Sequence, residues 1–357
     1  VSDTGRLNIP ANKISTVEVK VGEVFEERTL TVLGSQVKQE IADRLKDNLR
    51  ALGRLKENGY KVGRLRPKRF VNSIPLKQCG VTYGLDFARN KVRIQKLGEF
   101  RVLGIHQIPP GAEMANAVLV RKPSGYYLHV TCYLPREHFL RKPVGEAVGV
   151  DFGIDSKLTL SNGIKIDFEV HETPRLKRLQ RKLHRTKKGF KNGKKVWFLL
   201  RREYERLNNR RRDAQNKVLA FLRLYEKVVF QDDCVKKGWA ALFGGQVHSS
   251  GIGGLKSRLR TSLEVPVVVG RSEPTTRECY ACGKQHELSL SDRIIKCDCG
   301  WECDRDVNAA LVILERGLGL SRDQAVGLDR PELKPPEREA AARLLGSNPC
   351  IRVSFPR

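Results

Sequence analysis

The tightest constraint on this chain lies near its C-terminal end. Cys279-Tyr280-Ala281-Cys282 is followed, 14 residues later, by Cys297-Asp298-Cys299. Paired cysteines at this separation suit tetrahedral zinc: each pair offers two thiolates, and the residues between form a hairpin that brings the pairs together. The second pair is Cys-x-Cys, so its turn is tighter, and Cys303 is an alternative ligand. The competing reading is four reduced, buried cysteines with no metal. Directly after the pairs comes Asp304-Arg305-Asp306-Val307-Asn308-Ala309-Ala310, with Val307, Ala310, Leu311 and Ile313-Leu314 at helical spacing. A carboxylate in a first turn can simply cap its helix. A doublet held in place by a metal hairpin is also a candidate for chemistry, and that reading needs a partner acid elsewhere.

The charge says what such chemistry would act on. Of 357 residues, 67 are Lys or Arg and 40 are Asp or Glu, a formal net charge of +27. An excess this large disfavours a simple metabolic enzyme and points to a polyanion, above all nucleic acid. A basic membrane-surface protein is the competing class, but no apolar run approaches the roughly 18 residues of a spanning helix. Nine cysteines, several of them clustered, fit a reducing compartment better than a disulfide framework. A cytoplasmic, membrane-free setting is expected. The chain opens on Val1 rather than Met, which leaves a preceding segment open.

In chain order, residues 1–34 read as short strands. Residues 36–57 read as an amphipathic helix with Ser35 as N-cap and a packed stripe of Val37, Ile41, Leu45, Leu49, Leu52 and Leu55. The basic loop with Arg64, Arg66, Lys68, Arg69 and Phe70 can hold phosphates and stack a base, or be a solvated loop. Residues 72–135 read as all-β, a barrel or sandwich, with strands at 91–95, 100–105, 117–120 and 126–133. A second domain is expected from 146. There Ala147-Val148-Gly149-Val150-Asp151 is a buried-strand pattern ending on an acid, which is costly unless paired or metal-bound. From Arg175 to Arg212 there are 17 Lys or Arg against two acids. Arg178, Arg181, Lys182, Arg185, Arg210, Arg211 and Arg212 are the candidate backbone contacts of this helical arm (174–222), because so one-signed a run repels itself without a counter-charge. Strand 226–231 then runs into Gln231-Asp232-Asp233, and strand 265–269 is followed by Glu273. The tail, 316–357, reads as helical and charged.

Asp151, the 231–233 cluster and Asp306 thus each end a strand or start a helix. In a mixed α/β sheet such ends converge on one edge. Carboxylates gathered there repel one another unless cations sit between them, and magnesium ions would serve phosphodiester hydrolysis.

These pieces resemble the TnpB proteins of transposons, RNA-guided nucleases related to type V CRISPR effectors. The resemblance rests on Gly149-Val150-Asp151-Phe152-Gly153-Ile154, the basic arm Leu176–Arg212, Gln231-Asp232-Asp233 before Gly238-Trp239, Thr275-Thr276-Arg277-Glu278-Cys279, and Asp304-Arg305-Asp306-Val307-Asn308-Ala309-Ala310. It spans about residues 36 to 315. It implies a wedge β-barrel domain over 1–145 with a helical recognition insert at about 36–60. Next it implies an RNase H-like RuvC nuclease domain over 146–315 carrying a zinc finger at 277–303, and then a tail. It also implies a guide RNA, a double-stranded DNA target beside a short protein-read motif, catalytic Mg2+ and structural Zn2+ on Cys279, Cys282, Cys297 and Cys299. The family's first and third catalytic acids fall on Asp151 and Asp306. Its middle acid is a Glu where this chain has Gln231; Asp232, Asp233 and Glu273 are the candidate substitutes. Two further functions stay open: a nuclease-dead RNA-guided repressor, which Gln231 favours, and a guide-independent zinc-ribbon nucleic-acid binder.

Overall fold

The computed structural model describes residues 13–63, 70–139, 141–153, 156–187, 189–232, 251–270, 273–289, 291–320 and 332–356. The chain divides into two compact units, Val1–Leu140 and Arg141–Arg357.

In the first unit, β1 (Thr16–Val21) and β2 (Val24–Thr29) form an exposed antiparallel hairpin. Helix α1 (Ser35–Glu57) follows. Ser35 is its first helical residue rather than its cap; Gly34 holds the cap position without a side-chain bond. The expected packed stripe is only partly packed. Val37 and Ala42 are buried, while Ile41, Leu45 and Leu55 stay exposed, because the helix meets the sheet chiefly through β3 (Ser73–Leu76). Next come β4 (Tyr83–Asp86), β5 (Lys91–Ile94), β6 (Gly98–Arg101), β7 (Glu113–Lys122) and β8 (Gly125–Tyr133). They make two three-stranded antiparallel sheets, β3-β7-β8 and β4-β5-β6. Val37, Leu76, Tyr83, Val92, Ile94 and Ala117 form one core between them, and the Tyr83 hydroxyl donates to the Ala115 carbonyl at 2.9 Å. The strand expected over 100–105 stops at Arg101. Gly104, at φ +85°, turns the chain into one 3-10 turn at Ile105–Gln107, a backbone state that glycine alone adopts cheaply.

The second unit is built on a six-stranded mixed sheet. It contains β9 (Gly145–Asp151), β10 (Leu158–Leu160) and β11 (Lys165–Phe168), then helices α2 (Pro174–Arg185) and α3 (Lys191–Leu222). Next are β12 (Tyr225–Gln231), α4 (Ile252–Ser262) and β13 (Pro266–Val269). A small hairpin, β14 (Ile294–Lys296) and β15 (Glu302–Asp304), leads into α5 (Arg305–Leu318), α6 (Pro335–Leu345) and β16 (Ile351–Ser354). The strand order is β13-β12-β9-β10-β11-β16. The first three run parallel and the rest antiparallel.

Side chains alternate between the two faces of such a sheet. Val148, Val150, Val228 and Phe230 face a core shared with Ala214, Val218 and Leu222 of α3, Leu255 and Leu259 of α4, and Ala341 and Leu345 of α6. Val229 and Val269 face Ile313 of α5 on the other side. There the approach is close. A Cβ on Gly149 would fall within contact of the Ala310 carbonyl oxygen, and one on Gly317 would meet the Val229 side chain. Glycine at these two positions lets α5 lie directly on β9 and β12. The tail corrects the sequence reading: α6 covers the sheet, and β16 is its edge strand, pairing Ile351 with Phe168. No described helix is long and apolar enough to cross a membrane.

Candidate active site and metal centre

Asp151 is the last residue of β9, a strand with neighbours on both sides. Asp306 stands in the first turn of α5, the helix laid over that strand. Their charges act on each other. Burial first, and then the Asp306 carboxylate, push the Asp151 carboxyl up to about 7; Lys256, the Phe152 N–H and Arg305 oppose the shift. A half-buried acid raised by a neighbouring acid is a site short of positive charge. Two hard carboxylate oxygens with that deficit fit a divalent cation such as magnesium.

Asp304 plays a different part. Its Oδ1 accepts from the Asp306 and Val307 N–H groups at 3.1 and 3.2 Å, so it is the N-cap of α5. Its Oδ2 accepts from Lys165 Nζ at 2.8 Å, and the same ammonium stands 3.9 Å from Asp306.

The Gln231 side chain has a structural role of its own. Its Nε2 donates to the carbonyls of Gly270 (3.1 Å) and Glu273 (2.8 Å), and its Oε1 accepts from Thr275 Oγ1 at 2.9 Å. The amide uses donors and acceptor together to tie the end of β12 to the loop after β13. A carboxylate cannot donate there. Asp232, the next residue, bonds Arg260 of α4. One turn earlier on α4, Lys256 Nζ sits 4.3 Å from the centroid of the Phe152 ring. Burial lowers that ammonium to about 8, and the charges of Asp151 and Asp232 work against the lowering. Lys256 therefore lies in the field of both acids. Glu273 is engaged elsewhere: its carboxylate pairs at 3.2 Å with Arg316, ten residues beyond Asp306 and so about 15 Å along the helix axis. Asp233 lies outside the described residues.

The four cysteines converge. The Sγ atoms of Cys279, Cys282, Cys297 and Cys299 all lie within 4.8 Å of one another. Cys279 to Cys299 is 3.8 Å and Cys282 to Cys297 is 3.4 Å. Zn–S bonds of about 2.3 Å in a tetrahedron put sulfurs about 3.8 Å apart, so the cluster is of the size for one zinc. Backbone turns supply part of the charge balance. The Lys284 N–H brings the Cys282 thiol down to about 7, the Cys299 N–H lowers Cys297, and burial pushes Cys279 up to about 12. Cys303 is not in the cluster. It packs with Tyr280, Val307, Leu311 and Val312 in the apolar patch under the ribbon. The buried Asn308 side chain joins ribbon to helix. Its Oδ1 accepts from the Tyr280 N–H (3.0 Å) and from Trp301 Nε1 (3.1 Å), and its Nδ2 donates to the Glu278 carbonyl at 2.6 Å.

Residues 261–313 match the family model described as Cas12f1-like, TNB domain. The chain is 34% identical, over 229 residues, to a Streptomyces pristinaespiralis protein assigned by name as an RNA-guided DNA endonuclease. The match takes in 60% of this chain and 56% of that relative, so the chain spans little more than half of the relative's length. The chain resembles the TnpB and Cas12f-like nucleases. A cryo-EM structure of a Cas12f1–sgRNA–target DNA complex also matches, at TM-score 0.43 and 13% identity, over 76% of this chain and 70% of that one.

The basic arm is a helical hairpin of α2 and α3. Thr173 caps α2, accepting from the Leu176 N–H at 3.1 Å. Leu176, Leu179, Val196, Leu200 and Leu207 close the apolar seam with α3. Arg178, Arg181, Lys182 and Arg185 on α2, and Arg210 and Arg212 on α3, are exposed, while Arg211 is half-buried beside Gly251. Burial, and then the charges of Arg212 and Arg223, lower Arg258 on α4. Arg64, Arg66, Lys68 and Arg69 lie outside the described residues.

Sequence reasoning missed Lys165, Lys256, Arg260 and Asn308. A lysine or an arginine in so basic a chain carries no local mark, and only the fold brings these three cations to the acids. Asn308 did carry one: it stands two residues after Asp306, a spacing that puts it on a different side of the helix.

Proposed function

We propose that this chain is an RNA-guided, magnesium-dependent DNA endonuclease with a RuvC-like active site at Asp151 and Asp306. The observation that carries the reading is the buried Asp151 at a strand end in the field of Asp306, which stands in a helix clamped to a cysteine ribbon. Asp151 and Asp306 would hold the cation, which when bound supplies Lewis acidity and a water of lowered pKa. Lys165 orients Asp304 and stands beside Asp306, so it would keep the α5 cap in place and leave Asp306 to hold the cation. Asp232, held by Arg260, is the acid closest in sequence to the missing middle Glu. Glu273 and Asp233 are the other candidates. The relative named as an RNA-guided DNA endonuclease supports a guide RNA and a DNA target for this chain. We assign the guide to the transposon locus and the first unit to the wedge domain with α1 as its recognition insert. The second unit is assigned to the nuclease domain, with structural zinc on the four cysteines. The working place is the cytoplasm, at the nucleoid.

One observation favours a second reading. The Gln231 amide is consumed in holding the loop after β13, and a chain that keeps such a splice in place of an acid is suited to guided binding without cutting. The deciding experiment is cleavage of a plasmid library with a fixed target beside randomised bases. The protein is purified with RNA co-expressed from its locus and assayed in magnesium. Cutting beside an enriched motif, abolished by Asp151→Ala and Asp306→Ala while binding persists, supports the nuclease. Guide-dependent retention of the target with no cutting overturns it in favour of the repressor reading.

A further inference from the structure

Helix α3 carries a second pattern that the two acids and the ribbon do not use. Its buried stripe runs through Val196, Leu200, Glu203 and Leu207. Beside it, on the solvent side, Lys194, Trp197, Arg201, Tyr204 and Asn208 recur at steps of three and four residues, so they share one face, and Phe190 holds the extended N-cap position just before the helix. The three aromatic side chains are large and open to water: Phe190 is 63% exposed, Trp197 50% and Tyr204 41%. Trp197 and Tyr204 stand seven helical residues apart, about 10 Å along the axis, and Phe190 precedes Trp197 by seven positions from the N-cap. Cations alternate with them, and the Arg201 guanidinium stacks 4.6 Å from the Trp197 ring centroid. The Tyr204 hydroxyl accepts from Gln180 Nε2 of α2 at 2.8 Å, which fixes the ring against the hairpin. The six residues include no acid, and the half-buried Glu205, four residues after Arg201, borders them. The nearby Glu203 is turned inward and paired with Arg175 and Arg206 at 3.2 and 2.7 Å.

Aromatic rings left in water cost solvation unless something covers them. A second copy of this chain would bring the same positive charge against the stripe and be repelled. Unpaired bases suit it: flat π-faces stack on the rings, and the connecting phosphates meet the alternating Lys and Arg. The uncharged polar groups beside the last ring, Asn208 and the Gln180–Tyr204 pair, can meet a 2′-hydroxyl, which favours RNA over DNA. We propose that the Phe190–Trp197–Tyr204 stripe of α3 is a stacking platform for an unpaired segment of RNA. This rests on the nucleic-acid reading above and adds the side chains that would grip bases rather than backbone.

The test uses the full chain and fluorescence anisotropy with three labelled strands of equal charge, each about 20 units long to span several stacking positions. These are oligo(U), oligo(dT) and an abasic phosphodiester. Oligo(U) is expected to bind tightest and the abasic strand weakest. Trp197→Ala should weaken oligo(U) about tenfold and leave the abasic strand unchanged, and Trp197→Phe should restore most of the loss. Circular dichroism checks that both variants keep their helix content. Equal weakening on all three strands, or none, overturns the stacking platform while leaving the nucleic-acid reading standing. Equal affinity for oligo(U) and oligo(dT) overturns the choice of RNA. A dimer that Trp197→Ala disperses shows that the stripe joins two copies instead. Failure to bind any strand overturns this inference and the reading beneath it together.

Discussion

Asp151 shows how one residue can oppose the fold that holds it. Its carboxyl has an ordinary value of 3.8 and is raised to about 7 in the folded chain, by burial first and Asp306 second. Between those two values the folded state binds more protons than the unfolded state, so stability falls as pH rises from about 4 to 7. Asp151→Asn removes that loss. In chelator at pH 8, the variant should unfold at higher urea than the parent chain; at pH 4 the two should match. Magnesium should reverse the order, because only the parent keeps the carboxylate that gains from the cation. Urea midpoints at both pH values, with and without magnesium, check this. A parent chain that outlasts the variant in chelator at pH 8 would show that the acid pair is not frustrated.

At the scale of elements, the junction between ribbon and helix combines the apolar patch of Tyr280, Cys303, Val307, Leu311 and Val312 with the hydrogen bonds of Asn308. Three hydrogen bonds converge on its amide inside a closed interior. Asn308→Ala removes the bonds that the amide makes to the Tyr280 N–H, the Glu278 carbonyl and the Trp301 N–H. A buried polar group left unpaired costs about 1–3 kcal/mol, so a loss of about 3 kcal/mol or more in unfolding free energy is expected. Differential scanning calorimetry measures it, and a loss below about 1 kcal/mol would mean that water replaces the amide. The same spot explains the close seating of α5 on the sheet. Gly149 and Gly317 let backbone meet backbone and side chain, so helix, strand and ribbon form one block carrying both acids.

Across the second unit, the cysteine cluster and the acids belong to one assembly. The cysteine cluster leads through β15 to the Asp304 cap and then to Asp306. Zinc removal should therefore reach beyond the ribbon. With a strong zinc chelator, the chain should lose about one zinc and any cleavage activity together. The ribbon amides of 279–303 should exchange hydrogen faster, while the 225–231 strand stays protected. Metal analysis and hydrogen exchange on one sample check this, and unchanged exchange at the start of α5 would uncouple the zinc from the acid.

What could be read without the fold was the chemistry carried by short-range spacing. Two cysteine pairs 14 residues apart are a local pattern, and so is Asp304-Arg305-Asp306 opening an apolar helix. The basic excess of +27 is a property of composition and needs no coordinates. Other features depend on chain crossings that no local window contains. Ile351–Ser354 looks like a polar tail, yet it is an edge strand, because its partner Phe168 lies 183 positions upstream. The α1 stripe has helical period but too little sheet beneath it, so Ile41 and Leu45 stay exposed. Gln231 reads as an acid lost; the fold shows an amide that must both donate and accept. Lys165, Lys256 and Arg260 look like three cations among 67, and they acquire meaning only where β11 and α4 bring them to the acids. The sequence by itself determined the ligand types and their order, because thiolate spacing and helix capping act within a few residues. The tertiary structure decided which charges meet, because Coulomb interactions depend on distance in space and on burial, neither of which is written locally in the chain.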